Sequence, residues 1–431
     1  MLELDHGQHF APQLDTDFFT SLPSRPGVFL LEMKDQKAQP YLARTADIRR
    51  AAERLLRAPE SLSKRLNLRE VTSFIRYRAA GSKFEQTLTM YEQARKSFPH
   101  RYRDLMRLRP PALLKVNLRN EYPRCYVTRQ IRGDEGFYFG PFSSRRAAEA
   151  FSETFLDLFK IRRCQIKIRR DPEFPGCIYS EMKMCLAPCF AGCSKQEYDA
   201  EVGRVLETLA TAGSFLTREI AGQREAASES LDFERAAALH KRLEKVSGAL
   251  RGWGELTRRI EEIDAVILQR GAEEKTIVVF PIHAGILAEA LFLRFGELSS
   301  EPKSVEGILR KVLEPAANVH QQESFHRKTN TAESVHSAEP DAFNSLPDSP
   351  APRLDLPLAH RERFGLRSAP PELAEHLSLL ARWFYSKPRD GEILFHTGSW
   401  PYRRILRACS RLLVAPGLSP QSPASTKHPR S

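Results

Sequence analysis

Four cysteines crowd into one short window of a chain that is otherwise poor in them. Cys164 is followed by twelve residues and Cys177, by seven more and Cys185, then by three more and Cys189; the whole sequence of 431 residues has seven cysteines. A thiolate is a soft metal donor, and four on one loop can meet at a single centre if the backbone turns back on itself. Two turn signals allow it: Asp171-Pro172 through Pro175-Gly176, and Ala187-Pro188. The donor set suits an iron–sulfur cluster, a tetrathiolate zinc site or two disulfides. Buried, chemically idle thiols would also account for the count. Lys160, Arg162, Arg163, Lys167, Arg169 and Arg170 surround the window, and a metal knuckle on a basic surface points to nucleic acid.

The totals agree with an anionic partner. Formal net charge is +12 and the isoelectric point is about 9.4, a balance that most often meets a polyanion. A chain of this length can build two or three domains with a sizeable core. No apolar run reaches the length of a membrane span. Met1 to His9 is polar and acidic rather than a secretory leader. The expected compartment is therefore cytoplasmic, where reduced thiols favour a metal over disulfides.

Short strands and capped helices flank the window. Pro26-Gly27 opens an apolar strand through Val28, Phe29, Leu30 and Leu31; Lys34 to Ala38 form a hairpin turn, and Pro40-Tyr41-Leu42 is the returning strand. Asp47 caps a helix through Ile48, Ala52, Leu55 and Leu56, whose other face carries Arg49, Arg50, Arg54 and Arg57. Val71 to Arg78 reads as a third strand and Lys83 to Lys96 as a helix bearing Glu92. Leu113 to Asn120 and Tyr122 to Thr128 read as strands. From Gly136 an aromatic strand leads into a helix capped by Ser143 or Ser144, with Arg145 and Arg146 in its first turns. Hydroxyls, free helix N–H groups and arginines together suit a phosphate, although an ordinary strand–turn–helix has the same pattern. The apolar face of that helix (Ala147, Ala148, Phe151, Phe155, Leu158, Phe159) needs a partner.

Beyond the cysteines, Ser194-Lys195-Gln196-Glu197 is a capping box. Two helices follow, 215–229 and 233–250, interrupted before them by Gly213. Asp232 caps the second, whose Ala236, Leu239, Leu243, Val246 and Leu250 share a face. Two short helices bury little alone, so a partner is expected. Asp264 to Leu268, Lys275 to Phe280, Ile286 to Phe295 and Glu392 to Phe395 read as strands, and Leu373 to Tyr385 as a helix. Residues 318–356 and 414–431 are polar and Ser/Pro-rich, and are expected to be disordered. The fold class is α+β.

This order resembles the UvrC family of excinucleases, over about residues 20–310 and more loosely 371–413. Strand, hairpin, strand, basic helix, strand, helix is similar to the GIY-YIG nuclease domain that opens the family. Gly27-Val28-Phe29 stands for the first signature and Tyr41-Leu42-Ala43 for the second. Phe29 takes the place of the tyrosine that helps activate the attacking water, and it has no hydroxyl. Ala43 takes the place of a glycine. Arg44 matches the basic residue that follows, Ala51 falls near the family's helix arginine with Arg50 beside it, and Glu92 fits the glutamate that holds Mg²⁺. Tyr122-Pro123 and Phe139-Gly140-Pro141-Phe142 resemble later family segments. The cysteine spacing matches too, above all Cys185-Leu186-Ala187-Pro188-Cys189. It implies a [4Fe–4S] cluster on Cys164, Cys177, Cys185 and Cys189, with zinc as the alternative for the same donors and Cys193 a bystander. Leu231 to Leu239 resembles the UVR motif. That implies contact with UvrB through Phe233, Glu234, Ala236, Leu239 and Leu243.

The resemblance implies a GIY-YIG-like domain over 20–100, linker strands with the four-cysteine domain over 101–200, and a UVR hairpin over 201–252. A partial α/β region then takes in 253–317 and 357–413. This is the layout of short family members with only the N-terminal incision half; the sequence shows neither the acidic cluster of an RNase H-like nuclease nor a helix–hairpin–helix pair. Two functions follow. One is a nucleotide-excision-repair protein that binds damaged DNA with UvrB and incises on the 3′ side. Tyr41, Arg44 and Glu92 would then be catalytic, with Arg49, Arg50, Arg145 and Arg146 on DNA. The other is a catalytically inactive adaptor that binds DNA or UvrB.

Overall fold

The computed structural model describes residues 2–13, 16–58, 66–133, 136–295, 304–314 and 372–414. Of the segments expected to be disordered, 318–356 lies wholly outside the described residues, and 414–431 does so from residue 415 onward. The described strands form three antiparallel sheets.

The first sheet contains β1 (His6–His9), β2 (Gly27–Met33), β3 (Tyr41–Thr45) and β4 (Thr72–Ala79), in the order β1-β4-β2-β3. Side chains alternate along β2, and both faces are covered. Phe29 and Leu31 pack against α1 (Thr16–Ser21) and α2 (Ile48–Leu56). Val28 and Leu30 pack against α3 (Lys83–Ser97). Asp47 accepts the Arg50 N–H at 2.9 Å to cap α2, and Ser82 accepts the Glu85 N–H at 3.0 Å to cap α3. β1 lies in the leader that reads as merely polar. It has no apolar pattern, and pairing with β4 is what makes it a strand.

After α4 (Tyr102–Leu105), the second sheet contains β5 (Ala112–Asn117), β6 (Arg124–Thr128), β7 (Gly136–Phe142) and the later β8 (Arg258–Arg259), in the order β6-β5-β7-β8. Leu114, Val116, Phe137 and Phe139 face α5 (Arg145–Leu156), α7 (Lys195–Ala210), α8 (Ser214–Glu229) and α9 (Phe233–Leu250). The apolar face of α5 finds its partner here: Phe151 stacks on Phe155 at 5.3 Å and meets Trp253 at 5.4 Å. The cysteine loop, with its single-turn α6 (Ile178–Glu181), leaves the body after α5 and returns at α7.

The third sheet contains β9 (Ala265–Arg270), β10 (Thr276–His283), β11 (Ile286–Leu287), β12 (Leu291–Arg294) and β13 (Glu392–Phe395). The single strand expected from Ile286 to Phe295 is two pieces. The ladder breaks between them, where the Ala288 N–H turns to the Pro281 carbonyl at 2.9 Å. α10 (Val305–Leu313) and α12 (Tyr402–Val414), neither among the expected elements, cover one face, and α11 (Leu373–Phe384) covers the other. The first and third sheets share a core: Val28, Phe84 and Leu88 pack with Ile267, Phe280, Leu377 and Trp383. Backbones touch at this seam. A Cβ on Gly81 would lie 2.2 Å from the Gly271 carbonyl carbon, so only glycine fits. Among the described residues no helix is long and apolar enough to cross a membrane.

Candidate functional site

The three residues expected to act together on a phosphodiester do not meet. Positions 41 and 44 differ by an odd number, so on β3 they point to opposite faces. Tyr41 lies across from Leu31 and beside Phe29, with ring centroids 6.1 Å apart. Arg44 lies across from Val28 on the other face, and its Nη1 donates to Thr87 Oγ1 at 2.9 Å. Glu92 is further along α3 than Thr87, about 7.5 Å along the axis and roughly 140° around it. Its Oε2 accepts the Leu2 N–H at 2.6 Å. It lines a cavity of about 510 Å³ with Leu88, Tyr91, Phe280 and His376. Burial pushes its carboxyl up, against the Leu2 hydrogen bond and the Lys96 charge. Phe29 and Ala51, the positions where the family has its tyrosine and arginine, are both buried in one apolar cluster with Leu31 and Leu55. The patch that would carry water-activating groups is hydrophobic core.

Charged groups that sequence reasoning missed sit in the seam between the first and third sheets. Glu375 accepts from Tyr91 Oη at 2.6 Å, Tyr102 Oη at 2.7 Å and Arg103 Nε at 2.6 Å. Burial opposes its ionisation, but these three donors hold its carboxyl below the usual range. Glu85 is buried beside Arg78, with its Oε2 accepting the Gly81 N–H at 2.8 Å. The sequence did carry a signal for Glu85, since Ser82-Lys83-Phe84-Glu85 has the spacing of a capping box. Nothing local foretold its burial against another sheet.

The cysteine window is a braced loop. All seven cysteines are free thiols. The four of the window lie close enough to influence one another. Cys185 is pushed up to about 11, by burial first; the Ala187 N–H, 3.3 Å from its sulfur, works the other way, and Cys164, Cys189 and Cys177 add to the rise. Among the described residues, no group of three or more His, Cys, Asp or Glu is drawn into position to hold a metal ion. By type alone, four cysteines on one loop are the donor set that a thiolate-ligated metal takes, and the Ala187 N–H is aimed at one of the sulfurs. Arg162 fastens the frame, donating through Nε to the Tyr122 carbonyl at 2.7 Å and through Nη1 to that of Ile166 at 2.8 Å. Arg170 donates to the Cys193 carbonyl at 3.1 Å, and Arg163 pairs with Asp157 at 2.8 Å. Lys160, Lys167 and Arg169 remain exposed. Cys193 is buried in the second core.

The helices α8 and α9 pack as a hairpin, turning through Leu231 at φ 59° with Asp232 Oδ1 accepting the Arg235 N–H at 3.1 Å. Its root is anchored: Val246 is buried, and Leu239 and Leu243 are partly covered by the second core. Its tip is not, with Leu231 71% and Phe233 66% exposed; Glu234 is exposed and Ala236 half-buried. Arg145 pairs with Glu149 at 2.7 Å, whereas Arg146 and Arg50 are exposed. Arg49 is committed inside the fold, donating to the Leu22 carbonyl at 2.8 Å and the Thr20 carbonyl at 2.9 Å.

Residues 112–208 match the family described as UvrC/Cho excinuclease, middle domain. The chain is 28% identical over 297 residues to the UvrABC system protein C of Desulfatibacillum aliphaticivorans, a match covering 68% of this chain and 48% of that one. It is 30% identical over 190 residues to its namesake in Ruminiclostridium cellulolyticum, covering 44% and 31%. It is 31% identical over 186 residues to that of Nitratidesulfovibrio vulgaris, covering 43% and 25%. The chain thus spans half or less of the length of these relatives. No solved structure matches it.

Proposed function

We propose, from the premise that this chain is a member of the UvrC family, that it serves nucleotide excision repair by holding damaged DNA beside a partner and not by cutting it. One observation carries this reading: Phe29 and Ala51 are buried together in apolar core. Neither side chain has a group that could take a proton from water, and a general base alone contributes about 10²–10⁴-fold to such chemistry. The separation of Tyr41, Arg44 and Glu92 onto different faces supports it. The basic balance of the chain and the exposed Lys160, Lys167, Arg169 and Arg146 support DNA as the ligand.

UvrB is the proposed protein partner, docking on the hairpin tip around Leu231 and Phe233. Exposed aromatic and aliphatic side chains on an anchored helix pair suit an apolar groove. Cys164, Cys177, Cys185 and Cys189 would hold a [4Fe–4S] cluster. When bound, it would cross-link the loop between α5 and α7. Arg162 and Arg170 hold the loop frame around it.

The test is a lesion-bearing duplex with UvrA, UvrB and Mg²⁺. The expected result is a stable complex with no new 3′ nick. A nick that disappears on Glu92→Ala would overturn the non-cutting reading. For the cysteines, anaerobic protein should be brown with broad visible absorption, and colourless, zinc-loaded protein would refute iron–sulfur.

A further inference from the structure

The outer layer of the third sheet carries a charge pattern that no contact among the described residues explains. α12 buries Ile405, Ala408 and Cys409 against the sheet. Its other face presents Arg403, Arg404 and Arg407, all exposed. Among the described residues none of the three has an acidic partner. Neighbouring arginines on the same layer are neutralised. Arg310 on α10 is 2.8 Å from Glu306 and 3.6 Å from Glu314, and Arg411 on α12 is 2.6 Å from Glu392. No Asp or Glu follows Glu392 in the sequence. Arg403 and Arg404 also stand in the first turn of α12. There the positive end of the helix opposes cations. Stability alone would favour acids at those positions.

We infer that this face of α12 is a second contact surface for the backbone of duplex DNA, on a different sheet from the cysteine window. The inference rests on the DNA-repair function proposed for the chain. One helical turn rises about 5.4 Å, so three guanidinium groups gather within reach of neighbouring phosphates. Each offers a planar fork that matches phosphate oxygens. The contact carries no base readout, because the face supplies cations to phosphates and nothing to base edges.

The experiment compares the full chain with the Arg403→Gln/Arg404→Gln/Arg407→Gln variant, measuring duplex affinity by anisotropy across salt concentrations. The logarithmic salt slope should fall by about 2–3, at roughly 0.9 for each phosphate no longer neutralised. Affinity at low salt should drop at least tenfold, with the melting temperature unchanged or raised. Arg310→Gln, which removes a paired arginine, should leave the slope as it is. An unchanged slope in the triple variant would overturn the inference while wild-type DNA binding left the repair function standing. Wild-type protein without duplex binding would overturn both. If the triple variant loses binding to phosphatidylserine vesicles and keeps its DNA slope, the face belongs to a lipid surface and the DNA assignment falls.

Discussion

The α3–α11 seam and the α8–α9 tip treat their side chains in opposite ways. At the seam every oxygen of Glu375 has a donor: Tyr91 on one, Tyr102 and Arg103 on the other. Arg95 pairs with Glu372 at 2.7 Å alongside, and Phe84 meets Phe280 at 5.2 Å below. At the tip, Leu231 and Phe233 stand in water. Buried polar groups are seldom left without partners, and Glu375 finds all of its own within the chain. The exposed apolar tip on its braced stem is the surface that the proposed partner would cover. The first sheet lies on the completed side of this divide, and the hairpin on the open side.

The largest expected effect tests the completed side. Glu375→Ala strands the buried Tyr91 hydroxyl, takes the shared acceptor from half-buried Tyr102 and exposed Arg103, and should lower unfolding free energy by about 3 kcal/mol, read by urea denaturation. A loss within about 0.5 kcal/mol would mean that the seam does not hold the two sheets together.

Glu85 sharpens the same point through pH. Burial pushes its carboxyl up to about 7, despite the Gly81 N–H and nearby Arg78. Its folded pKa therefore exceeds its unfolded value of about 4.5. Such a group contributes stability fully below the unfolded pKa, and loses it as pH rises through about 7. Glu85→Gln removes the ionisable group, so its stabilisation over wild type should be small at pH 5 and reach about 1–3 kcal/mol at pH 8. A difference that stays constant with pH would refute this account.

Much of this arrangement is legible in the amino-acid sequence, and the boundary of legibility is physical. Asp47, Ser144, Ser194 and Asp232 announce helices because a cap acts within three residues. The opposite facing of Tyr41 and Arg44 is readable too, from odd spacing on a strand. β1 is not readable, since pairing with β4 creates it. Nor is the partnership of β13 with β9, which joins distant parts of the chain. The cysteines reveal a donor set by spacing, but the arginines around them look alike in sequence. Only tertiary contacts separate Arg162, locked to two carbonyls, from exposed Arg169.

On the open side, Phe233→Ala should weaken UvrB binding by about 2 kcal/mol, or roughly thirtyfold, measured by calorimetry. Stability should move by no more than about 0.5 kcal/mol, because the side chain touches little within the chain. A large stability loss with unchanged binding would place the tip on the completed side instead.

The smallest effects separate arginines that resemble one another in sequence. Arg49 and Arg146 both lie near a helix N-terminus, and sequence alone assigns both to DNA. Arg49 ties α2 to the end of α1 through two carbonyls, and Arg146 is exposed. Arg49→Ala should therefore cost about 1 kcal/mol of stability and leave the salt slope of duplex binding unchanged. Arg146→Ala should do the reverse: stability held within about 0.5 kcal/mol, and the slope reduced by about 0.9 for the one phosphate it neutralises. If both variants shift the slope equally, the carbonyl contacts of Arg49 give way when DNA arrives, and the division between completed and open surfaces fails at that helix.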